Sequence, residues 1–167
     1  MNAKTRNLIT LITIAVTLFL FPLEQSASAQ STKSNCKKLK GSSVQVFDPA
    51  TGVVSGPVTR AGILNGQLED VINFDAGFIF TPDPNVVTYI SDLSITTIHG
   101  ELKTSPVITQ GVGFPYAFTE FGNIDPNTSN GRFAGATGLI FFTGKTVGDF
   151  NGPFEVEITG EICFANY

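Results

Sequence analysis

The chain contains few of the residues that catalytic and metal sites most often use. Its 167 residues include one histidine, His99, two cysteines and no tryptophan, and only 14% of them are charged. No zinc-binding spacing, phosphate-binding glycine loop or nucleophile elbow occurs. Basic residues form no stripe beyond the short run Lys37-Lys38-Leu39-Lys40. We therefore expect no metal, no cofactor and no nucleic-acid partner.

An apolar segment near the N-terminus indicates export. Lys4 and Arg6 precede the apolar stretch 8–23, and Ala27-Ser28-Ala29 follows it in the pattern of a signal-peptide cleavage site. The alternative is a retained anchor, but the stretch is short for a span, which needs about 20 residues. We expect residues 1–29 to be cleaved. The mature protein is then secreted or periplasmic, with no membrane association after cleavage.

The mature chain has the size of one acidic domain. Cleavage removes two of the 10 basic and one of the 14 acidic side chains, leaving 8 basic and 13 acidic among residues 30–167. A chain of this length can bury one core. Residues 30–42 are polar and rich in lysine, which predicts an N-terminal extension. Residues 43–167 are then the folded domain.

The two cysteines lie near opposite ends of the mature chain. In an oxidising compartment, an even pair such as Cys36 and Cys163 predicts a disulfide. A reactive thiol is the alternative, and it would need a nearby base, for which His99 is the only histidine. We expect the disulfide.

The body of the chain has the pattern of antiparallel strands. Apolar and polar residues alternate over 153–164 and over 64–74, which predicts strands with one buried face. Residues 86–99 and 101–110 are both extended in pattern and flank Gly100, so they could pair across a tight turn. Shorter strands are expected at 53–60 and 116–121. No helical pattern of ten residues occurs beyond the signal segment. The sequence therefore predicts an all-β sandwich or barrel.

A glycine-rich segment carries a family resemblance. Gly131-Arg-Phe-Ala-Gly-Ala-Thr-Gly138 suits a strand that bends sharply, as closed sheets require. Together with the apolar residues that follow it and the strand Phe154–Glu161, it resembles the C-terminal half of allene oxide cyclase-like and dirigent-like barrels. The resemblance implies a closed antiparallel β-barrel of about eight strands, often secreted and oligomeric. It also implies cofactor-free cyclisation or coupling of an intermediate held in an apolar cavity.

Polar residues on apolar strand faces are the candidate ligand site. Each candidate residue lies on the same strand face as apolar neighbours, so its side chain should point into the barrel. A carboxyl inside a barrel has a raised pKa unless it is paired, which suits acid–base chemistry. The alternative is a position near a strand end, where a bulge resets the parity, or an ion pair with Arg60 or Lys103. The candidates are Asp70, Tyr89, Tyr116 and Glu120.

The segment 125–131 admits two interpretations. Its oxygen-bearing side chains occur at alternate positions, as at the start of a calcium loop, but the twelfth position is Ala136 where glutamate is usual. Asx turns explain the same composition. We expect a turn without metal.

Two functions remain open from the sequence. In the first, the barrel binds an apolar small molecule and could cyclise or isomerise it, consistent with the 13 phenylalanines of the mature chain. In the second, it is a non-catalytic structural or interaction protein of the cell envelope. The run Leu139-Ile-Phe-Phe142 is apolar on both faces, so Leu139 and Phe141 could form a homo-oligomer contact. A cavity of about 300 Å³ or more with convergent polar groups would favour the first function.

Overall fold

Most of the described chain is β-strand. The computed structural model describes residues 35–76, 79–80, 82–83, 85–112, 117–147 and 152–165. In these ranges the strands are β1 (Asn35–Asp48), β2 (Val53–Thr59), β3 (Gly66–Ile72), β4 (Ile79–Phe80), β5 (Val86–Thr97), β6 (Gly100–Lys103), β7 (Val107–Val112), β8 (Ala117–Asn123), β9 (Thr137–Thr146) and β10 (Phe154–Phe164). Three short 3-10 turns, Gly62–Leu64, Phe74–Ala76 and Gly131–Phe133, are the helical elements of these ranges.

The sheet closes on itself as a barrel. Its circuit runs β1-β2-β3-β5-β7-β8-β9-β10, with antiparallel pairing at each step, and β10 pairs again with β1. Because β4 and β6 only extend the ladders beside β5, the barrel has eight strands. The expected hairpin around Gly100 is present. The pairing register with β5 shifts by one residue between β6 and β7, which marks a bulge. The predicted closed antiparallel eight-stranded barrel is confirmed, and no α-helix occurs in the described ranges.

The first strand begins earlier than the sequence indicates. β1 starts at Asn35 and pairs with both β2 and β10, so residues 35–42 belong to the barrel and not to an N-terminal extension. The interior positions of this strand include Leu39, Ser43 and Gln45, of which only the first is a large apolar residue. The alternation that reveals a strand is therefore weak here. The expected signal peptide, residues 1–29, lies outside the described residues.

A disulfide joins the first and last strands. Cys36 and Cys163 are direct partners in the β1–β10 ladder, and their Cα atoms are 3.8 Å apart. The predicted disulfide is confirmed. It covalently links the two strands whose pairing closes the barrel.

The glycine segment closes one end of the barrel instead of bending a strand. Residues Gly131–Phe133 form a 3-10 turn, and β9 begins only at Thr137, so the predicted bent strand is wrong over 131–136. Gly131 has a φ of 60°, and a Cβ atom there would lie 2.3 Å from the carbonyl oxygen of His99. Glycine is required by that approach. The turn buries Phe133 completely, with its ring 6.4 Å from that of Phe164.

Aliphatic side chains fill the interior next to this closed end. The inward positions of β3, β5, β9 and β10 here are all at most 2% exposed: Leu68, Leu93, Ile95, Ile140 and Ile162. Burial of such side chains contributes roughly 1.5–3 kcal/mol each. Two residues further along β3 and β5, the inward positions become Asp70 and Ser91. The interior therefore changes from apolar to polar along the barrel axis.

Candidate functional site

The end of the barrel away from the Phe133 turn is hollow. A cavity of about 280 Å³ opens there between inward-facing side chains of several strands. This inner cavity is close to the lower limit of typical ligand pockets, about 300 Å³. Its described walls are Gln45, Phe47, Val54, Asp70, Ile72, Phe74, Val87, Tyr89, Phe118, Glu120 and Phe154.

Three of the four residues predicted for a ligand site line the inner cavity. Asp70, Tyr89 and Glu120 all face it, and the two acids are only 2% and 4% exposed. The alternative in which these acids pair with basic residues does not hold for Lys103, whose amino group lies 3.6 Å from Glu101. Arg60 is exposed. Tyr116, the fourth candidate, lies outside the described residues.

The strand register brings these side chains together. Tyr89 on β5 is paired with Thr109 on β7, which is paired in turn with Glu120 on β8. Asp70 on β3 is paired with Leu93 on β5, so it lies on the other side of β5 from this row. Four strands that are adjacent in the barrel thus contribute one polar surface. Successive side chains of a strand alternate between faces, so all of these point inward.

Burial changes the acidity of both carboxyls. Loss of solvent raises the pKa of Asp70 to about 6, with the Ser91 hydroxyl opposing this rise and the charge of Asp92 adding to it. Burial also raises the pKa of Glu120 well above its ordinary value, and the charge of Asp70 adds to that rise. Because each carboxylate disfavours ionisation of the other, the pair retains a proton at a higher pH than exposed carboxyls do.

Several buried oxygen atoms of the interior lack a hydrogen-bond partner among the described residues. They include Oδ1 of Asp70, Oε1 of Glu120 and the hydroxyls of Ser43, Thr109 and Thr146. An unsatisfied buried polar group costs roughly 1–3 kcal/mol. Asp70 and Glu120, which line the inner cavity, therefore present acceptor capacity there that no described residue uses.

Sequence reasoning missed much of the cavity wall. Gln45 is 2% exposed and lines the cavity from β1, a strand that the sequence analysis did not recognise. Its parity with Phe47 on that strand would have indicated it. The aromatic walls were also missed; the rings of Phe118 and Phe154 meet edge to face with centroids 5.7 Å apart. Thr109 could not have been found from the hairpin alone, because it lies opposite Tyr89 only after the one-residue shift between β6 and β7.

The segment after β8 is a turn. The carboxylate of Asp125 accepts hydrogen bonds from the backbone N–H of Asn127 and the hydroxyl of Thr128, both at 2.8 Å. These bonds, the first foremost, lower the pKa of Asp125. This is the Asx turn that the sequence offered as the alternative to a calcium loop. Within the described ranges, His, Cys, Asp and Glu side chains form no group of three that could hold a metal ion.

An apolar row lies on the outside of the barrel. Ile108, Phe121 and Phe141 are paired neighbours across β7, β8 and β9, and they are 42%, 40% and 38% exposed. The rings of Phe121 and Phe141 are 6.4 Å apart. Leu139 lies two residues from Phe141 on the same face and is half-buried. We call Ile108, Phe121 and Phe141 the outer apolar row.

Comparison with known proteins gives no relative. The chain matches no family model, no curated protein and no solved structure. In the described part of the chain, no helix has the length and apolar character needed to cross a bilayer. The arguments about function below therefore start from the inner cavity and the outer apolar row.

Proposed function

We propose that this protein is an exported barrel that binds an apolar small molecule in the inner cavity, as allene oxide cyclase-like and dirigent-like barrels do. One observation carries the proposal. Asp70 and Glu120 are buried on the wall of an otherwise largely apolar cavity, and each has an oxygen atom without a partner among the described residues. A bound molecule that offers hydrogen-bond donors would satisfy both.

The contrast between the two halves of the interior supports ligand binding over a purely structural role. The closed half is packed with aliphatic side chains such as Leu68 and Ile95. Replacing buried charged groups with apolar ones of similar volume is often neutral or stabilising. A barrel that served only as a scaffold would therefore gain from continuing the aliphatic packing through Asp70 and Glu120. The carboxyls are better explained by contact with a ligand.

The same carboxyls suit a cofactor-free cyclase or isomerase. Such a reaction needs one group that donates a proton and one that accepts it, with pKa values near the working pH. Glu120, whose pKa burial raises well above its ordinary value, is the proton donor of this scheme. Asp70, with a pKa of about 6, is the acceptor. The apolar walls exclude water, which protects a reactive intermediate.

Native mass spectrometry of the protein from its own host tests binding. We expect a retained small molecule on the wild-type protein. Val54→Phe places extra volume in the inner cavity and should abolish retention. Val46→Phe is the matched control, because Val46 lies on the neighbouring strand and is 54% exposed on the outer face. Wild-type protein without a bound molecule, or Val54→Phe protein that still carries it, would contradict the proposal.

A second function follows from the outer apolar row. Under this proposal the protein is a non-catalytic envelope component that forms homo-oligomers through Phe121, Phe141 and the neighbouring Leu139. Exposed apolar patches often mark protein contacts. Sedimentation velocity should show an oligomer that Phe141→Ser dissociates, while Val44→Ser, on the outer face of β1 and 52% exposed, leaves it intact. A monomeric wild-type protein would contradict this second function.

A further inference from the structure

We infer that the molecule bound in the inner cavity carries a positively charged nitrogen on an apolar body, an inference that rests on the proposed binding function. It identifies the class of ligand, a small hydrophobic amine, from the groups that face the cavity. Both the charge and the aromatic character of the walls point to this class.

The charges that face the cavity are of one sign. Asp70 and Glu120 are the ionisable acids of its described wall, and none of the described wall residues is lysine, arginine or histidine. A further charge that acts on Asp70 is that of Asp92, which is exposed and also negative. A bound carboxylate would meet repulsion from these acids. A bound ammonium group would instead compensate the charge of Asp70 and donate hydrogen bonds to Oδ1 of Asp70 and Oε1 of Glu120, which have no partner among the described residues.

The aromatic walls favour a cation independently. Phe47, Phe74, Tyr89, Phe118 and Phe154 all line the inner cavity. The face of an aromatic ring attracts a cation within about 6 Å, and the attraction increases when water is excluded. Aliphatic walls from Val54, Ile72 and Val87 supply contacts for an apolar body. The cavity of about 280 Å³ limits that body to a small one.

A neutral ligand satisfies only part of this environment. An alcohol could donate a hydrogen bond to one of the acids, but it would leave the charge of Asp70 without compensation. A hydrogen bond to a charged group contributes more than one between neutral groups. The amine should therefore bind more tightly than an alcohol of the same shape.

Three ligands of equal chain length separate these cases. Octylamine, octanol and octanoate are titrated into the purified mature protein by calorimetry at neutral pH. We expect octylamine to bind roughly tenfold or more tightly than octanol, and octanoate to bind most weakly. In the double variant Asp70→Asn, Glu120→Gln the advantage of octylamine over octanol should disappear. Glu157→Gln removes an acid from the outer face of β10 and should leave the advantage intact.

The outcomes distinguish this inference from the proposed function. Equal affinities for the three ligands, or a preference for octanoate, would overturn the inference while leaving an apolar binding cavity. Binding of none of them would contradict both. Circular dichroism shows whether the double variant keeps its β-structure. If it does not, the ranking of ligands by the wild-type protein and by Asp70→Asn still decides the inference.

Discussion

The buried acid pair should make the protein less stable as pH rises through the weakly acidic range. The ordinary pKa of Asp70 is 3.8, and burial raises it to about 6 in the folded protein. The folded state therefore holds a proton that the unfolded state releases. The free energy of unfolding falls with pH wherever the folded state binds more protons. The contribution of Asp70 is fully present below about pH 4 and is lost as pH rises to about 6.

The size of this effect follows from the two pKa values. One pKa unit corresponds to about 1.4 kcal/mol, so the rise from 3.8 to about 6 corresponds to about 3 kcal/mol lost by neutral pH. Glu120 adds to the loss in the same direction, because burial raises its pKa as well. Asp48 and Asp125 have lowered pKa values, so they make the free energy of unfolding rise with pH. They do so only at pH values below the ordinary aspartate range. Above about pH 4 the decline reports the buried pair.

Urea unfolding of the disulfide-intact protein between about pH 4 and pH 7 measures this decline. Asp70→Asn should flatten part of the profile, because burial still raises the pKa of Glu120, and Asp70→Asn with Glu120→Gln should remove the remainder. The comparison uses slopes because a buried amide has its own unsatisfied donors, whose cost does not depend on pH. Glu157→Gln, an exposed control on β10, should reproduce the wild-type slope. Parallel profiles for the wild type and Asp70→Asn would refute the reasoning.

Three further predictions concern other parts of the barrel. Glu120→Leu should stabilise the empty protein by about 1–3 kcal/mol in urea unfolding while weakening ligand binding, since the desolvation cost and the contact disappear together; a change below about 0.5 kcal/mol would contradict it. Replacing Cys36 and Cys163 with serine should lower stability by up to about 5 kcal/mol, because the disulfide spans 127 positions of the chain; an unchanged thermal midpoint after reduction would contradict this. Phe133→Ala should cost about 3–5 kcal/mol by leaving a cavity beside Phe164, and a loss below about 1 kcal/mol in urea unfolding would show that the closed end is loosely packed.

The strands with strong alternation could be predicted from the sequence. β10, from Phe154 to Phe164, buries its apolar positions and exposes its glutamates, as the pattern indicates. β1 could not be predicted, because its inward positions include Ser43 and Gln45, and one of its two partners, β10, comes from the far end of the chain. The glycine segment was misread because a positive φ serves a turn as well as a bend in a strand.

The candidate site was only partly accessible from the sequence. Parity placed Asp70 and Glu120 in the interior, since each lies in a strand whose alternation is regular up to that residue. Tyr89 was placed there because it shares the parity of the apolar residues Leu93 and Ile95 on its strand. Their convergence on one cavity depends on the register between strands, and the sequence does not specify this register. The hollow itself depends on the summed volumes of side chains from all eight strands. This total volume cannot be calculated from the sequence, because the position of each side chain along the barrel axis is not known.

The division of the interior places the packed core and the candidate site on the same strands. On β3, Leu68 belongs to the packed half and Asp70, two positions later, belongs to the inner cavity. The change from packed core to cavity takes place over two residues of β3. Extending either region along the strand would therefore replace residues of the other. The 3-10 turn that buries Phe133 closes the packed end, so the ligand of the proposed function would not reach the carboxyls from that end. The packed half and the disulfide can then offset the cost of keeping two acids buried beside a hollow.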